Sequence, residues 1–139
     1  MANTLTPKAR STLCKMGSLA RTDTTAKELF GIPKDAVIVG IYVIGGAVSN
    51  AATTATIGTG SSTSANEHMT GYDVKTAATG EGYNPAGAAA VGSAMVTKLT
   101  TDKPIYAKYT ESGTASTAGG PWYVKIEYTV VGGGEDIQM

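Results

Sequence analysis

The sequence predicts an all-β protein, a jelly-roll-like two-sheet β-sandwich of about eight short antiparallel strands. Three observations carry that prediction. Gly, Ala, Ser and Thr dominate the 139-residue chain and Leu is scarce, a composition that suits short strands joined by many turns and argues against a helical bundle. Ala36–Ile44 gathers Val37, Ile38, Val39, Ile41, Val43 and Ile44 into one run, and β-branched side chains are stiff at χ1 and pack well on a pleated surface. Residues 122–131 alternate, with Trp122, Val124, Ile126, Tyr128 and Val130 on one face and Lys125, Glu127 and Thr129 on the other, the period of a half-buried strand.

The elements follow in order. Residues 8–20 give a weak strand signal broken by Gly17, or else an arm that orders on a partner. Leu13, Cys14, Met16 and Leu19 fit neither the helical nor the strand period. A turn at 21–25 leads into a short strand at 26–30. Gly31 and Pro33 then end the ladder, because proline lacks an N–H and restricts the residue before it. Lys34 and Asp35 make the corner before the central strand. In that strand Val37, Val39, Ile41 and Val43 alternate with Ala36, Ile38, Tyr42 and Ile44, so both faces are apolar. Such a strand is covered on both sides, inside a sandwich or against a partner chain, and its second face is expected to be a subunit contact.

Gly45 and Gly46 close the strand. Residues 53–59 form a more polar one, with Ala55 and Ile57 pointing one way and Thr54 and Thr56 the other. A loop at 60–65 precedes a helical turn at 66–69 capped by Asn66. Tyr72 and Val74 mark a short strand, 77–93 a long surface loop, and 94–99 and 105–109 two further strands, with Lys108 outward. Residues 111–120 read as a flexible loop. The organisation is therefore 1–20 as arm or first strand, 21–131 as the sandwich, and 132–139 as a Gly-rich tail.

Formal net charge is zero, which leaves no overall electrostatic case for nucleic acid or an anionic membrane. The charge is uneven, however. Residues 1–34 hold six bases and two acids, +4, and the remainder five bases and nine acids, −4. Lys8, Arg10, Lys15 and Arg21 could meet an acidic partner or a neighbouring copy; solvated strand and loop residues would give the same asymmetry. No signal-like segment opens the chain, and no apolar run approaches the ~18 residues of a membrane span.

Chemistry is sparse. Gly58-Thr59-Gly60 lacks the Gly-Lys-Ser/Thr ending of a phosphate loop. His68 is the sole histidine, which cannot make the usual zinc constellation. Cys14 is the sole cysteine; it has no His at a recognisable position and is expected to pack as a small apolar residue. Tyr106, Tyr109, Trp122, Tyr123 and Tyr128 could form a sugar-binding platform, but their alternation on two strands favours the core. No enzyme, cofactor or metal is expected.

The run ELFGIPKDAVIVGIYV, the Thr-rich TTATIGTGSS, then KLTTDKPIYAKYTESGTASTAGG and the closing WYVKIEYTVV together resemble a family of small tailed-phage structural proteins. These are the capsid decoration or cement proteins of short-tailed phages, including the jelly-roll cement protein of the Bordetella phage group. The similarity spans residues 26–131. It implies a protein made in the host cytoplasm that binds the outer surface of an icosahedral head and ties capsomers together. The implied partners are the major capsid protein and itself, a dimer being favoured. Candidate capsid or subunit contacts are Lys8, Arg10, Lys15, Arg21, Ile38, Tyr42 and Ile44. On this reading, deleting residues 1–20 weakens lattice attachment more than the fold. The other readings for an all-β, Gly/Thr-rich chain are a tail-fibre or head-fibre receptor-binding module and a carbohydrate-binding sandwich.

Overall fold

The computed structural model describes residues 12–75 and 98–131. Seven strands and no helix occur among them: β1 (Leu13–Leu19), β2 (Lys27–Ile32), β3 (Ala36–Ile44), β4 (Thr54–Gly60), β5 (Met69–Asp73), β6 (Lys103–Ser112) and β7 (Trp122–Val130). They form a three-stranded sheet ordered β1-β7-β3 and a four-stranded sheet ordered β2-β6-β4-β5. Every ladder is antiparallel. The sheets bury Leu19, Ile41, Val43, Val124 and Ile126 from one side against Ile32, Ile57, Ile105, Ala107 and Tyr109 from the other. This is the β-sandwich that the composition and the alternation predict.

Trp122 and Tyr109 join the two layers. Trp122 opens β7 and Tyr109 lies in β6; their rings stack at a centroid distance of 5.3 Å and an interplanar angle of 15°. Trp122 is 1% exposed, so it is core and cannot present a face to a sugar. The Tyr109 hydroxyl lies 2.6 Å from Ser49 Oγ and donates to Glu111 Oε2 at 2.7 Å.

β3 departs from the strand the sequence suggests in two ways. It is the edge of its sheet rather than the centre, a place taken by β7. Its register also slips between Ile38 and Gly40. Ala36 and Ile38 oppose Val130 and Tyr128, whereas Ile41 and Val43 oppose Ile126 and Val124. One extra residue reverses the alternation, so residues of both parities point into the same core. Val37, Tyr42 and Ile44 are left on the outer side, and Val39, at the bulge, is exposed.

Other boundaries shift for local reasons. Residues 66–69 make no helical turn: the 61–67 loop folds back over Gly58 and Gly60, where a Cβ would sit 2.4 Å from the Ala65 carbonyl and 2.8 Å from the Asn66 nitrogen, and Met69 already belongs to β5. β6 starts before Pro104 and runs on through Glu111 to Ser112. The loop after it is tied down, with Asn50 Oδ1 accepting from the Thr117 and Ala118 N–H groups at 2.9 and 3.0 Å. Most of the strand expected at 94–99 lies outside the described residues, as do the 77–93 loop and the 132–139 tail. Leu99 itself brackets the start of β3, donating to the Ala36 carbonyl and accepting from the Asp35 N–H, both at 2.9 Å.

Within the first twenty residues, 13–19 form β1, paired along its length with β7. Gly17 faces β2 so closely that a Cβ would lie 2.9 Å from Leu29 Cβ, and Leu19 is fully buried. Two expectations follow. Deleting residues 1–20 strips a ladder and a core side chain, and should abolish the cooperative unfolding transition seen by circular dichroism. Trp122→Ala should cost about 3–5 kcal/mol, read from urea midpoints, as for other large buried aromatics.

Candidate functional site

The two sheets present different faces to solvent. Alternation along the four-stranded sheet turns Thr54, Thr56, Tyr106, Lys108, Thr110 and Ser112 outward, a mostly polar surface. The three-stranded sheet does otherwise. Its inward residues are set by β7, so Cys14, Met16 and Ser18 of β1 point out beside Tyr123, Lys125, Glu127 and Thr129. Val37, Tyr42 and Ile44 of β3 complete the row. Met16 is 56% exposed, Val39 46% and Tyr123 43%, a cluster of large apolar side chains that a solvated sheet face does not need. At its centre Lys125 Nζ lies 3.2 Å from Glu127 Oε2 and 5.1 Å from the centroid of the Tyr42 ring, which in turn lies across Gly40.

The residues singled out in the sequence scatter over the molecule. Tyr42 and Ile44 lie on this face. Ile38 is 2% exposed and points into the core; the bulge puts it there, so it is no contact residue in the folded chain. Lys15 and Arg21 are engaged within the chain: Lys15 Nζ donates to the Gly31 carbonyl at 2.7 Å and Arg21 Nη1 to the Ser116 carbonyl at 2.9 Å. Lys8 and Arg10 lie outside the described residues. Cys14 is exposed rather than packed, because β1 parity turns it outward. Met16, Val37, Val39 and Tyr123 are the members of the face that sequence reasoning passed over. Tyr106 and Tyr123, expected in the core with the other aromatics, instead point outward, because each stands one residue out of step with the inward positions of its strand, and the pairing partner that orients β1 lies over a hundred residues away.

One side of the sandwich is closed by lysines. Lys15 reaches from β1 to the Gly31 carbonyl of β2, and Lys27 Nζ reaches back from β2 to the Ser18 carbonyl at 3.1 Å. Charged stems at sheet edges discourage strand addition. A shallow groove of about 320 Å³ at this seam is lined by Lys15, Gly31, Ile32, Pro33, Asp102 and Tyr128.

Titratable groups are used for structure. Ser49, Tyr109, Glu111 and Ser116 form a hydrogen-bonded bracket beneath the Trp122 ring. Burial pushes the Tyr109 hydroxyl above its ordinary pKa, against hydrogen bonds from Ser116 and Ser49. Hydrogen bonds from Ser116 and Tyr109, with Arg21 nearby, hold the Glu111 carboxyl below its usual range. The tyrosine is thus kept protonated and the carboxylate ionised, and the bracket they form anchors the loop after β6. Burial raises the Glu67 carboxyl, but the Ser62 hydroxyl and the backbone N–H groups of Glu67, Asn66 and Ser61 outweigh it and hold the group low. His68 is 1% exposed with Nδ1 unpartnered, and burial pushes its pKa down against the raising field of Glu67. Among the described residues no group of three or more His, Cys, Asp or Glu is placed to hold a metal ion.

No protein-family model matches the sequence, and no curated protein matches it. Among solved structures, the chain is similar to a chain in the capsid asymmetric unit of cyanophage Pam1. The likeness covers 94% of this chain and 93% of that one, at a TM-score of 0.62 and 17% identity. At that identity it is a likeness of fold.

His68 gives this surface-free part of the molecule a measurable signature. Its folded pKa lies below the value of about 6.5 it has in the unfolded chain. The unfolded state therefore binds more protons below that pH, and the stabilisation is complete above about 6.5 and lost as pH falls. The urea midpoint should drop between pH 7.5 and 5.5, and His68→Leu should flatten that slope. Loss from Glu67 and Glu111 belongs to a separate window, as pH falls below about 4.5.

Proposed function

We propose that the chain is a structural protein of a phage virion, and within that class a decoration or cement protein on the outer surface of an icosahedral head. The observation that carries the proposal is the likeness of fold to a capsid asymmetric-unit chain over nearly the full length of both proteins. The sequence runs that resemble cement proteins point the same way. A rigid sandwich with one apolar outer face supplies what such a role requires: no reaction, only a surface of fixed shape repeated over a lattice. Repetition turns modest contacts into firm attachment, because each added contact is made at high effective concentration.

On this reading the outer face of β1-β7-β3 is an assembly surface, the major capsid protein is a partner, and Lys8 and Arg10 add charge attraction to the shell. Purified protein mixed with undecorated heads of its own phage should bind saturably and raise the temperature at which the heads disrupt. Binding should weaken with rising salt, and K8E/R10E should weaken it further at low salt. Failure to bind such heads at any salt concentration would remove the cement reading.

A further inference from the structure

We infer that the outer face of the three-stranded sheet docks against the same face of a second copy across a two-fold axis. The argument starts from register. Across the sheet, Met16 and Tyr42 stand level with Lys125, Cys14 and Gly40 with Glu127, Ile44 with Tyr123, and Val37 with Thr129. A two-fold axis lying between the faces, perpendicular to the strands at the level of Ile126, reverses strand direction and keeps each strand over its own copy. Lys125 then falls over Glu127 of the second copy, and Glu127 over its Lys125.

The same operation lays apolar side chains over apolar ones along most of the two flanking strands, while on the middle strand Tyr123 falls over Thr129. Met16 meets Cys14, Tyr42 meets the bulge at Val39, and Ile44 meets Val37, each pairing occurring twice. Opposite charges two residues apart on the middle strand, flanked by apolar rows, make the face complementary to itself under the isologous rule for two-fold contacts. Lys125 and Glu127 already pair with each other within the chain, and the two-fold sets that pair against its own inverse, so that the four charges alternate in sign at the centre of the contact.

The size of the face sets the strength. Three strands about 4.8 Å apart and up to nine residues long present on the order of 400 Å², about half of the ~800 Å² per partner of a stable interface. The contact is therefore weak between free copies and firm only where another surface holds them in place. The inference deepens the capsid reading by naming the partner of the proposed assembly surface, and it is testable without a capsid.

The experiment uses the full-length chain and two charge reversals, K125E and E127K, with circular dichroism melts confirming that both fold. Each variant carries two like charges at the centre and has lost the pair within its own chain. Sedimentation velocity over a concentration series should show native protein associating to dimers. Each variant alone should self-associate at least about tenfold more weakly, and an equal mixture of the two should recover native dimerisation. The recovery cannot come from the bridge within a chain, since both variants lack it. Native protein that stays monomeric at every concentration, association untouched by either reversal, or a mixture no better than its components would each overturn the inference. Reversals that abolish head binding while leaving self-association unchanged would assign the face to the shell protein instead, overturning this inference and leaving the capsid reading intact.

Discussion

The stacked pair of Trp122 and Tyr109 is the contact on which the rest of the sandwich depends, because it joins the two sheets through side chains that each do a second task. The Tyr109 hydroxyl holds Ser49 in the loop between β3 and β4 and Glu111 at the end of β6. Glu111 in turn accepts from the Ser116 N–H, whose residue's carbonyl receives Arg21 from the turn after β1. Three connections, β1–β2, β3–β4 and β6–β7, are thereby pinned at one end of the molecule by two rings. With few aromatics and little leucine to fill a core, the chain relies on this one broad contact, supported by small residues that let the sheets approach.

Much of that frame was legible in advance. The strands at 36–44 and 122–130 follow from β-branched density and clean alternation, and the inward placing of Trp122 and Tyr128 follows from the same period. Legibility failed where a residue's role depends on a distant partner. β1 carries no stripe of its own: Lys15 and Gly17 stand at inward positions, one because its ammonium crosses the seam and the other because Leu29 comes too close for a side chain. The bulge after Ile38 is equally silent in sequence, since Val39 and Gly40 give no local sign that a ladder will slip there.

The same slip decides what the candidate surface is. Without it, Val37, Val39, Ile41 and Val43 would share one face and the opposite face would hold Ala36, Ile38, Tyr42 and Ile44. With it, the aliphatic mass goes inward and the outer row is left with Tyr42, Ile44 and Val37 around a charged centre. A face of that make-up tolerates water and still gains from being covered, which suits contacts made late and held by repetition. The polar outer face of the other sheet, by contrast, has nothing to gain from burial.

The lysine-closed seam between β1 and β2 has a consequence for growth. Strand addition at a sheet edge is an open-ended process, in which each new member offers the next the same unsatisfied edge and fibres result. Pairing through a face ends with the second member, because both copies of the surface are then consumed. Lys15 and Lys27 stand across the open-ended route at the β1–β2 seam, so growth by strand addition is opposed at those two edges.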